Sequence, residues 1–157
     1  MPCPRPVLRR LFVLGAIPLL GLGLFLAACG GGGGGVNATA SDFSYKVDKT
    51  HAPAGNAQFT LKNDSKTYQH ELWLYPANQP KIQDLIAAKT AGKDVNEEDY
   101  LQNVAGKVED LDPGKSASFT ANLAPGTYEY ACFVTTNLAG KNQVHYDLGM
   151  HGTFTVP

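Results

Sequence analysis

The chain closes with two alternating stretches, residues 126–132 (GTYEYAC) and residues 152–156 (GTFTV), which are separated by a loop. A period of two residues places alternate side chains on one face of a strand, so Tyr128, Tyr130 and Cys132 share a face. Both stretches have the length of ordinary β-strands. They predict two neighbouring strands, joined by a long loop, at the end of a β-rich domain.

Upstream, short strand-like segments alternate with turns that contain proline or glycine. The predicted strands are residues 41–47, 58–62, 69–75 and 116–122. The third of these is apolar on both faces after Glu71, which indicates a central strand. Short strands separated by such turns favour an all-β sandwich over an α/β fold.

One segment departs from the strand pattern. Residues 79–108 are polar and helix-friendly, and Ile82, Leu85 and Ile86 recur at helical spacing. A second helical piece is predicted from Asn96 to residue 104, because an asparagine followed by acidic residues is typical of a helix start. We expect a helical excursion between two strands, which covers a sheet edge or, less favoured, docks a partner.

Side chains with metal-ligand chemistry lie in and around the C-terminal loop. Cys132 ends the first stretch, and His145 and Met150 precede the last strand. A thiolate, an imidazole and a thioether are the donors of a mononuclear copper site, where the weak axial donor tunes the potential. His70, on the predicted central strand, is available as the second imidazole. Electron transfer is therefore the leading hypothesis for this constellation.

The cysteines are accounted for without disulfides. Cys3 falls in a predicted export signal, Cys29 at its end, and Cys132 stands alone in the mature domain. An unpaired thiol is unusual in an exported protein, since that compartment favours oxidation. An inert, buried cysteine is the alternative. The spacing of His145 and Met150 favours a metal ligand.

The N-terminus predicts export. Three arginines precede an apolar run over residues 11–27, which is typical of a signal peptide. The run ends in LAAC at residues 26–29, which resembles the bacterial lipobox, whose cysteine is acylated. We predict a signal peptide over residues 1–28 and lipidation at Cys29. An uncleaved membrane anchor is the alternative, because the run nearly reaches spanning length.

A lipidated Cys29 and a glycine-rich linker occupy residues 29–36, and the remaining domain covers residues 37–157. Polyglycine has high backbone entropy and no side chains to pack, so it makes a flexible tether. Either anchor places the domain outside the cytoplasm, in the periplasm or on the outer surface. With the three arginines in the signal, ten lysines face fourteen acidic residues, so no basic surface for nucleic acid is expected.

Three pieces of the sequence resemble the cupredoxins, the type 1 blue copper proteins, especially the plastocyanin, auracyanin and rusticyanin/sulfocyanin-like branches. The pieces are residues 68–72 (YQHEL), 126–132 and 145–156 (HYDLGMHGTFTV). The resemblance implies a Greek-key β-sandwich with one copper ion. It would make His70 and His145 equatorial ligands, Cys132 the thiolate and Met150 the axial donor.

The resemblance also implies a role. Cupredoxins pass single electrons between protein redox partners, namely membrane complexes or soluble carriers. We therefore expect a monomeric carrier that binds no small-molecule substrate and is not an enzyme. Two alternatives remain: a copper-delivery lipoprotein, in which the metal is cargo, and a metal-free sandwich used for adhesion or assembly.

The sequence departs from the family at two points. Twelve residues, 133–144, separate Cys132 from His145, where the family has two to four. Two outcomes are open for this polar insertion: it bulges outward while Cys132 and His145 keep their places, or it changes solvent access or the choice of partner. Glu71 stands where many members have an asparagine or serine that braces the ligand loop by hydrogen bonds. The sequence therefore does not tell which residue braces the loop here. Glu71 is not expected to bind the metal, because adjacent strand residues point to opposite faces.

The remaining candidates have ordinary interpretations. His151 is predicted to be a solvated surface histidine rather than an axial donor, and His51 an exposed turn residue. Trp73 and Tyr75 are predicted to be core aromatics.

Overall fold

The computed structural model describes residues 35–157. The strands in this part are β1 (Val36–Ser41), β2 (Ser44–Val47), β3 (Gly55–Asn63), β4 (His70–Pro76), β5 (Gly106–Leu111), β6 (Ser116–Leu123), β7 (Gly126–Ala131), β8 (Thr135–Leu138), β9 (Lys141–Val144) and β10 (His151–Val156). One helix, α1 (Ile82–Thr90), and one 3₁₀ turn, Glu97–Asp99, follow β4. The predicted signal peptide and the lipidation site Cys29 lie outside the described residues. Within residues 35–157, no helix has the length and apolar character needed to cross a membrane.

Two four-stranded sheets form a sandwich, with strand orders β2-β1-β3-β6 and β10-β7-β4-β5. Strands β1 and β3 run parallel, and the other pairs are antiparallel. The chain leaves one sheet after β3, enters the other at β4, returns at β6 and crosses again at β7. Strands distant in sequence therefore pair, as in Greek-key folds. The predicted all-β sandwich is confirmed, and β4 is a central strand.

The main core lies between the two sheets. Phe154 of β10 is fully buried, and its ring meets that of Phe59 edge-on at 5.3 Å. Tyr128, Tyr130 and Cys132 all contact this core, which confirms their predicted common face. Met150 belongs to the same cluster, so two of the predicted ligands are extensions of the hydrophobic core.

A second core lies on the outer face of the sheet that contains β4. It consists of Trp73, Tyr75, Leu85, Ile86, Leu101, Ala131, Phe133 and Val144. The helical excursion therefore covers a sheet face rather than the expected edge. The physical reason is that β4 carries apolar side chains on both faces, and the outer one must also be shielded from water.

Two predicted elements have different bounds in the structure. The alternation over residues 41–47 predicts one strand, but the chain turns after Ser41, where Asp42 has φ 42°, and β2 pairs back on β1. The second helical piece is only a 3₁₀ turn, and β5 begins at Gly106, inside the predicted excursion. Its start is confirmed, since the Asn96 side chain accepts a hydrogen bond from the Glu98 N–H at 3.1 Å.

Gly106 provides a test of packing between the sheets. A Cβ atom at this position would overlap the ring of Phe119, which stacks on Phe59 with centroids 5.2 Å apart. We expect Gly106→Ala to lower the free energy of unfolding by about 1–3 kcal/mol, measured by urea denaturation. In a Phe119→Leu background the same change should cost clearly less. Equal costs in both backgrounds would show that the ring is not the obstacle.

Candidate metal centre

The four predicted ligands come from three places in the fold. His70 is the first residue of β4, Cys132 directly follows β7, and His145 and Met150 lie at the two ends of the turn before β10. All four side chains are 0% exposed. Although they are spread over the sequence, the sheet topology gathers them at one end of the main core.

Backbone hydrogen bonds hold the ligand loop. The Cys132 N–H donates to the Met150 carbonyl at 3.0 Å, and the Met150 N–H donates to the His145 carbonyl at 3.0 Å. Gly149 has φ 105°, a left-handed value that favours glycine and lets the chain turn tightly. Residues 145–150 therefore wrap around one point, and the Met150 backbone is tied to Cys132.

The ligand atoms of the two histidines and the cysteine face one another. The Cys132 Sγ lies 3.5 Å from the His145 Nδ1 and 3.9 Å from the His70 Nδ1. These three donor atoms all lie within 4.8 Å of one another. Two imidazole nitrogens and one thiol sulfur in a closed space, with a buried thioether nearby, fit the donor set of a type 1 copper site.

Two aromatic rings shield His145. The Phe43 ring meets the imidazole edge-on at 5.2 Å, and the Tyr68 ring does so at 6.0 Å. Phe43 occupies the turn between β1 and β2, where the alternating sequence pattern predicts the middle of a strand. The turn is what brings this ring to the site, and the strand pattern alone did not reveal it.

Burial sets the protonation of the ligands. It lowers the pKa of His70 to about 4 and that of His145 to about 4, with a smaller contribution to the latter from His70. Burial, followed by the Glu71 carboxyl, raises the pKa of the Cys132 thiol to about 12. At neutral pH both imidazoles are therefore neutral and able to bind a metal, while the thiol keeps its proton until a cation displaces it.

A proton count follows from these directions. At neutral pH, binding of copper(II) should release about one proton per metal, and that proton comes from the Cys132 thiol. The two imidazoles are already neutral, so they release none. A pH indicator in weakly buffered solution would measure this during copper titration. The Cys132→Ser variant is the control and should release far less. Release of two or more protons would contradict the assigned histidine states.

Glu71 is the bracing residue that the sequence left open. The register of β4 against β5 shifts between His70 and Leu72, and the buried Glu71 side chain bonds to two residues of the second core. Its Oε2 accepts hydrogen bonds from the Trp73 Nε1 at 3.0 Å and from the Phe133 N–H at 3.2 Å. The Glu71 N–H points at the Cys132 Sγ, 3.4 Å away.

In this arrangement the Glu71 carboxylate bonds to Trp73 and Phe133, and Glu71 stands outside the His-Cys-His cluster. It instead links the strand that carries His70 to the residue after Cys132. Burial raises the pKa of its carboxyl to about 7. The signal in the sequence was an acidic residue within a strand otherwise apolar on both faces.

His151 is a surface residue, as expected. Its ring stacks on Tyr146 at 4.1 Å, and its Nδ1 lies 3.5 Å from the Glu129 carboxylate, which also accepts a 2.7 Å hydrogen bond from the Tyr146 hydroxyl. His51 is likewise exposed. The predicted core aromatics, Trp73 and Tyr75, are each 0% exposed, so these expectations are confirmed.

The insertion of residues 133–144 contains the β8–β9 hairpin. The two ends of the insertion, Phe133 and Val144, are both fully buried. Pairing of Thr135 with Val144 brings the two ends of the insertion together, so Cys132 and His145 stay close despite the added length. The hairpin does not simply bulge into solvent. The Thr136 Oγ1 lies 2.7 Å from the His145 Nε2, so the hairpin reaches the candidate site.

Comparisons with known proteins address the fold. No protein-family model matches the sequence, and neither does any curated protein. Among solved structures, auracyanin from the photosynthetic bacterium Roseiflexus castenholzii has a TM-score of 0.59 and 24% identity over 78% of this chain and 96% of its own. Auracyanin A from Chloroflexus aurantiacus, a "blue" copper protein, has a TM-score of 0.53 and 23% identity over 79% and 100%.

Rusticyanin from Thiobacillus ferrooxidans is also similar, with a TM-score of 0.56 and 19% identity over 78% of this chain and 76% of its own. Likenesses at these identities are likenesses of fold. The chain has the cupredoxin fold, as the resemblance of its three sequence pieces implied, and the buried His-Cys-His cluster lies within it.

Proposed function

We propose that this protein is a type 1 copper protein that carries single electrons between protein redox partners. The observation that carries the proposal is the convergence of the His70 Nδ1 and the His145 Nδ1 on the Cys132 Sγ. Bound copper would supply the one-electron couple between its two oxidation states. In this proposal His70, Cys132 and His145 hold the metal, and Met150 is the axial donor.

The scaffold suits fast electron transfer. Three of the proposed ligands are tied to strands or to each other by backbone hydrogen bonds, and all four are 0% exposed. A rigid site from which water is excluded changes little when its charge changes. That lowers the rearrangement that each electron transfer requires.

Burial also favours a carrier over a delivery protein. Because all four side chains are 0% exposed, release of the metal would require the sandwich end to open. A carrier must keep its metal in both oxidation states, whereas a delivery protein must give it up.

The proposed location comes from the N-terminal sequence. Cleavage after residue 28, acylation of Cys29 and a glycine linker would tether a monomeric domain outside the cytoplasm, in the periplasm or on the outer surface. The tether would let the domain swing between membrane complexes or soluble carriers. No enzymatic turnover and no nucleic-acid partner form part of this proposal.

Copper loading of the purified protein tests the function. After addition of copper(II), we expect an intense blue or green thiolate-to-copper band that a reductant bleaches and an oxidant restores over repeated cycles. Metal analysis after each cycle should show that the copper is retained. Loss of copper on reduction would favour delivery, and a weak band with an ordinary copper EPR signal would contradict a type 1 site.

A further inference from the structure

We propose that Thr136 is a positioning residue that fixes the imidazole of His145 for metal binding, and that the β8–β9 hairpin exists to present it. This inference rests on the proposed function, because it concerns how His145 meets a copper ion. Besides the four predicted ligands, the site then includes one residue of the insertion that does not bind the metal itself but positions a ligand. The sequence alone predicts no role at the metal for residues 133–144.

The hydrogen bond defines the orientation of the ring. The His145 Nδ1 faces the Cys132 Sγ at 3.5 Å, and the Nε2 lies 2.7 Å from the Thr136 Oγ1. Since a neutral imidazole has one protonated nitrogen, a proton on Nε2 donates to Thr136 and leaves the Nδ1 lone pair toward the sulfur. A metal bound through Nδ1 requires the ring proton on Nε2, where the threonine oxygen is placed to accept it, so we infer that this contact favours the binding tautomer.

The two histidines of the site differ in this respect. The His70 Nε2 is buried and has no hydrogen-bond partner among residues 35–157, whereas the His145 Nε2 is bonded. His70 begins strand β4 and pairs with Leu111 of β5, so its backbone is held by the sheet. His145 lies in a loop, where a side-chain contact must supply the restraint that a sheet would otherwise give.

The hairpin is itself held in place by the second core. Val144, the last residue of β9, and Phe133, two residues before β8, pack in the same cluster as Leu85 and Ile86 of α1, and α1 packs against β9. Within the hairpin, Thr136 pairs with Gln143. The helical excursion and the loop insertion therefore support each other, and together they set where the threonine hydroxyl lies.

The neighbouring residue provides a matched control. The Thr135 Oγ1 is buried without a hydrogen-bond partner in the described residues, whereas the Thr136 Oγ1 contacts His145. Valine has nearly the shape of threonine, so Thr136→Val and Thr135→Val each remove one hydroxyl from the same hairpin. Thr136→Ser keeps the hydroxyl and should behave as the wild type.

Nitrogen-15 NMR of the copper-free protein is the first measurement. In the wild type and in Thr136→Ser, the His145 imidazole should be the Nε2–H tautomer with a slowly exchanging proton. Thr136→Val should give a mixture of tautomers or a fast-exchanging proton, and Thr135→Val should give the wild-type spectrum. This readout does not require copper, and a merely structural effect of the hairpin would not distinguish the two valine variants.

Copper binding is the second measurement. Loss of a contact to the outer nitrogen of a ligating histidine typically lowers metal affinity by about 10–100-fold, and we expect that range for Thr136→Val. A hydrogen-bonded imidazole is more basic, which favours copper(II), so the reduction potential should rise in this variant. A tenfold loss confined to copper(II) corresponds to about 59 mV for one electron.

The outcomes separate the two proposals. A wild-type protein without a thiolate-to-copper band would overturn the proposed function, whatever the NMR spectra show. A wild-type protein with that band, but with identical tautomer, affinity and potential in Thr136→Val and Thr135→Val, would overturn the role of Thr136 alone. Wild-type behaviour of Thr136→Ser with altered behaviour of Thr136→Val supports it.

Discussion

The Cys132→Ser variant is expected to fold and to lose essentially all of the intense thiolate-to-copper absorption. The reason is chemical: charge transfer of this kind needs a sulfur donor, and Cys132 is the one cysteine in the described residues. Serine has a similar shape, and its hydroxyl can bond the Glu71 N–H and the His145 Nδ1, the groups that lie 3.4 and 3.5 Å from the sulfur. The cost to folding should therefore be small beside the loss of the copper band.

Optical and EPR spectra of the copper-loaded variant measure this effect, with circular dichroism as the check on folding. Met150→Leu is the matched control, since it removes a sulfur atom but leaves the thiolate. We expect it to keep the intense band and to raise the reduction potential, because the axial donor stabilises copper(II). A folded Cys132→Ser protein that retains the band would contradict the proposed ligand set.

The Glu71→Ala variant is expected to lose about 2–6 kcal/mol of its free energy of unfolding. The substitution leaves two buried donors without partners, the Trp73 Nε1 and the Phe133 N–H, each worth about 1–3 kcal/mol when orphaned. It also removes the link between the His70 strand and the residue after Cys132. Copper affinity should therefore fall together with stability, and urea denaturation with copper titration measures both.

Glu71→Gln is the control, because its amide oxygen can accept the same hydrogen bonds without a charge. It also tests the raised pKa of Glu71, which lies at about 7 in the folded protein, above the usual value of 4.5. The unfolded carboxyl ionises first, so the contribution of Glu71 to stability falls as the pH rises from about 4.5 to 7. Relative to wild type, copper-free Glu71→Gln should gain stability over that interval. If Glu71→Ala has the same free energy of unfolding and the same copper affinity as the wild type, Glu71 does not brace the site.

Much of the fold and the proposed ligands could be predicted because the signals are local. Alternation over residues 126–132 and 152–156 indicated two strands, and β7 and β10 pair there. An unpaired cysteine with a histidine and a methionine nearby in sequence indicated a metal site, and the structure buries all three at one end of the core.

The supporting contacts could not be predicted, since each joins residues far apart in sequence. Glu71 and Phe133 are 62 residues apart, and they meet because β4 and β7 are neighbours in one sheet. The alternation of apolar residues over 41–47 also predicts one strand, although the same alternation is compatible with a hairpin. Local propensity does not distinguish those cases, since the choice depends on which strand pairs with β1.

The sequence by itself determined the class of fold and the candidate ligands, because strand periodicity and ligand chemistry are properties of short segments. Only the tertiary structure decided how the site is closed and braced. The inserted hairpin brings Thr136 to His145, a turn brings Phe43 to the same ring, and the outer face of β4 is covered by α1. The hairpin and α1 pack there because both faces of β4 must be shielded from water, which brings distant segments together.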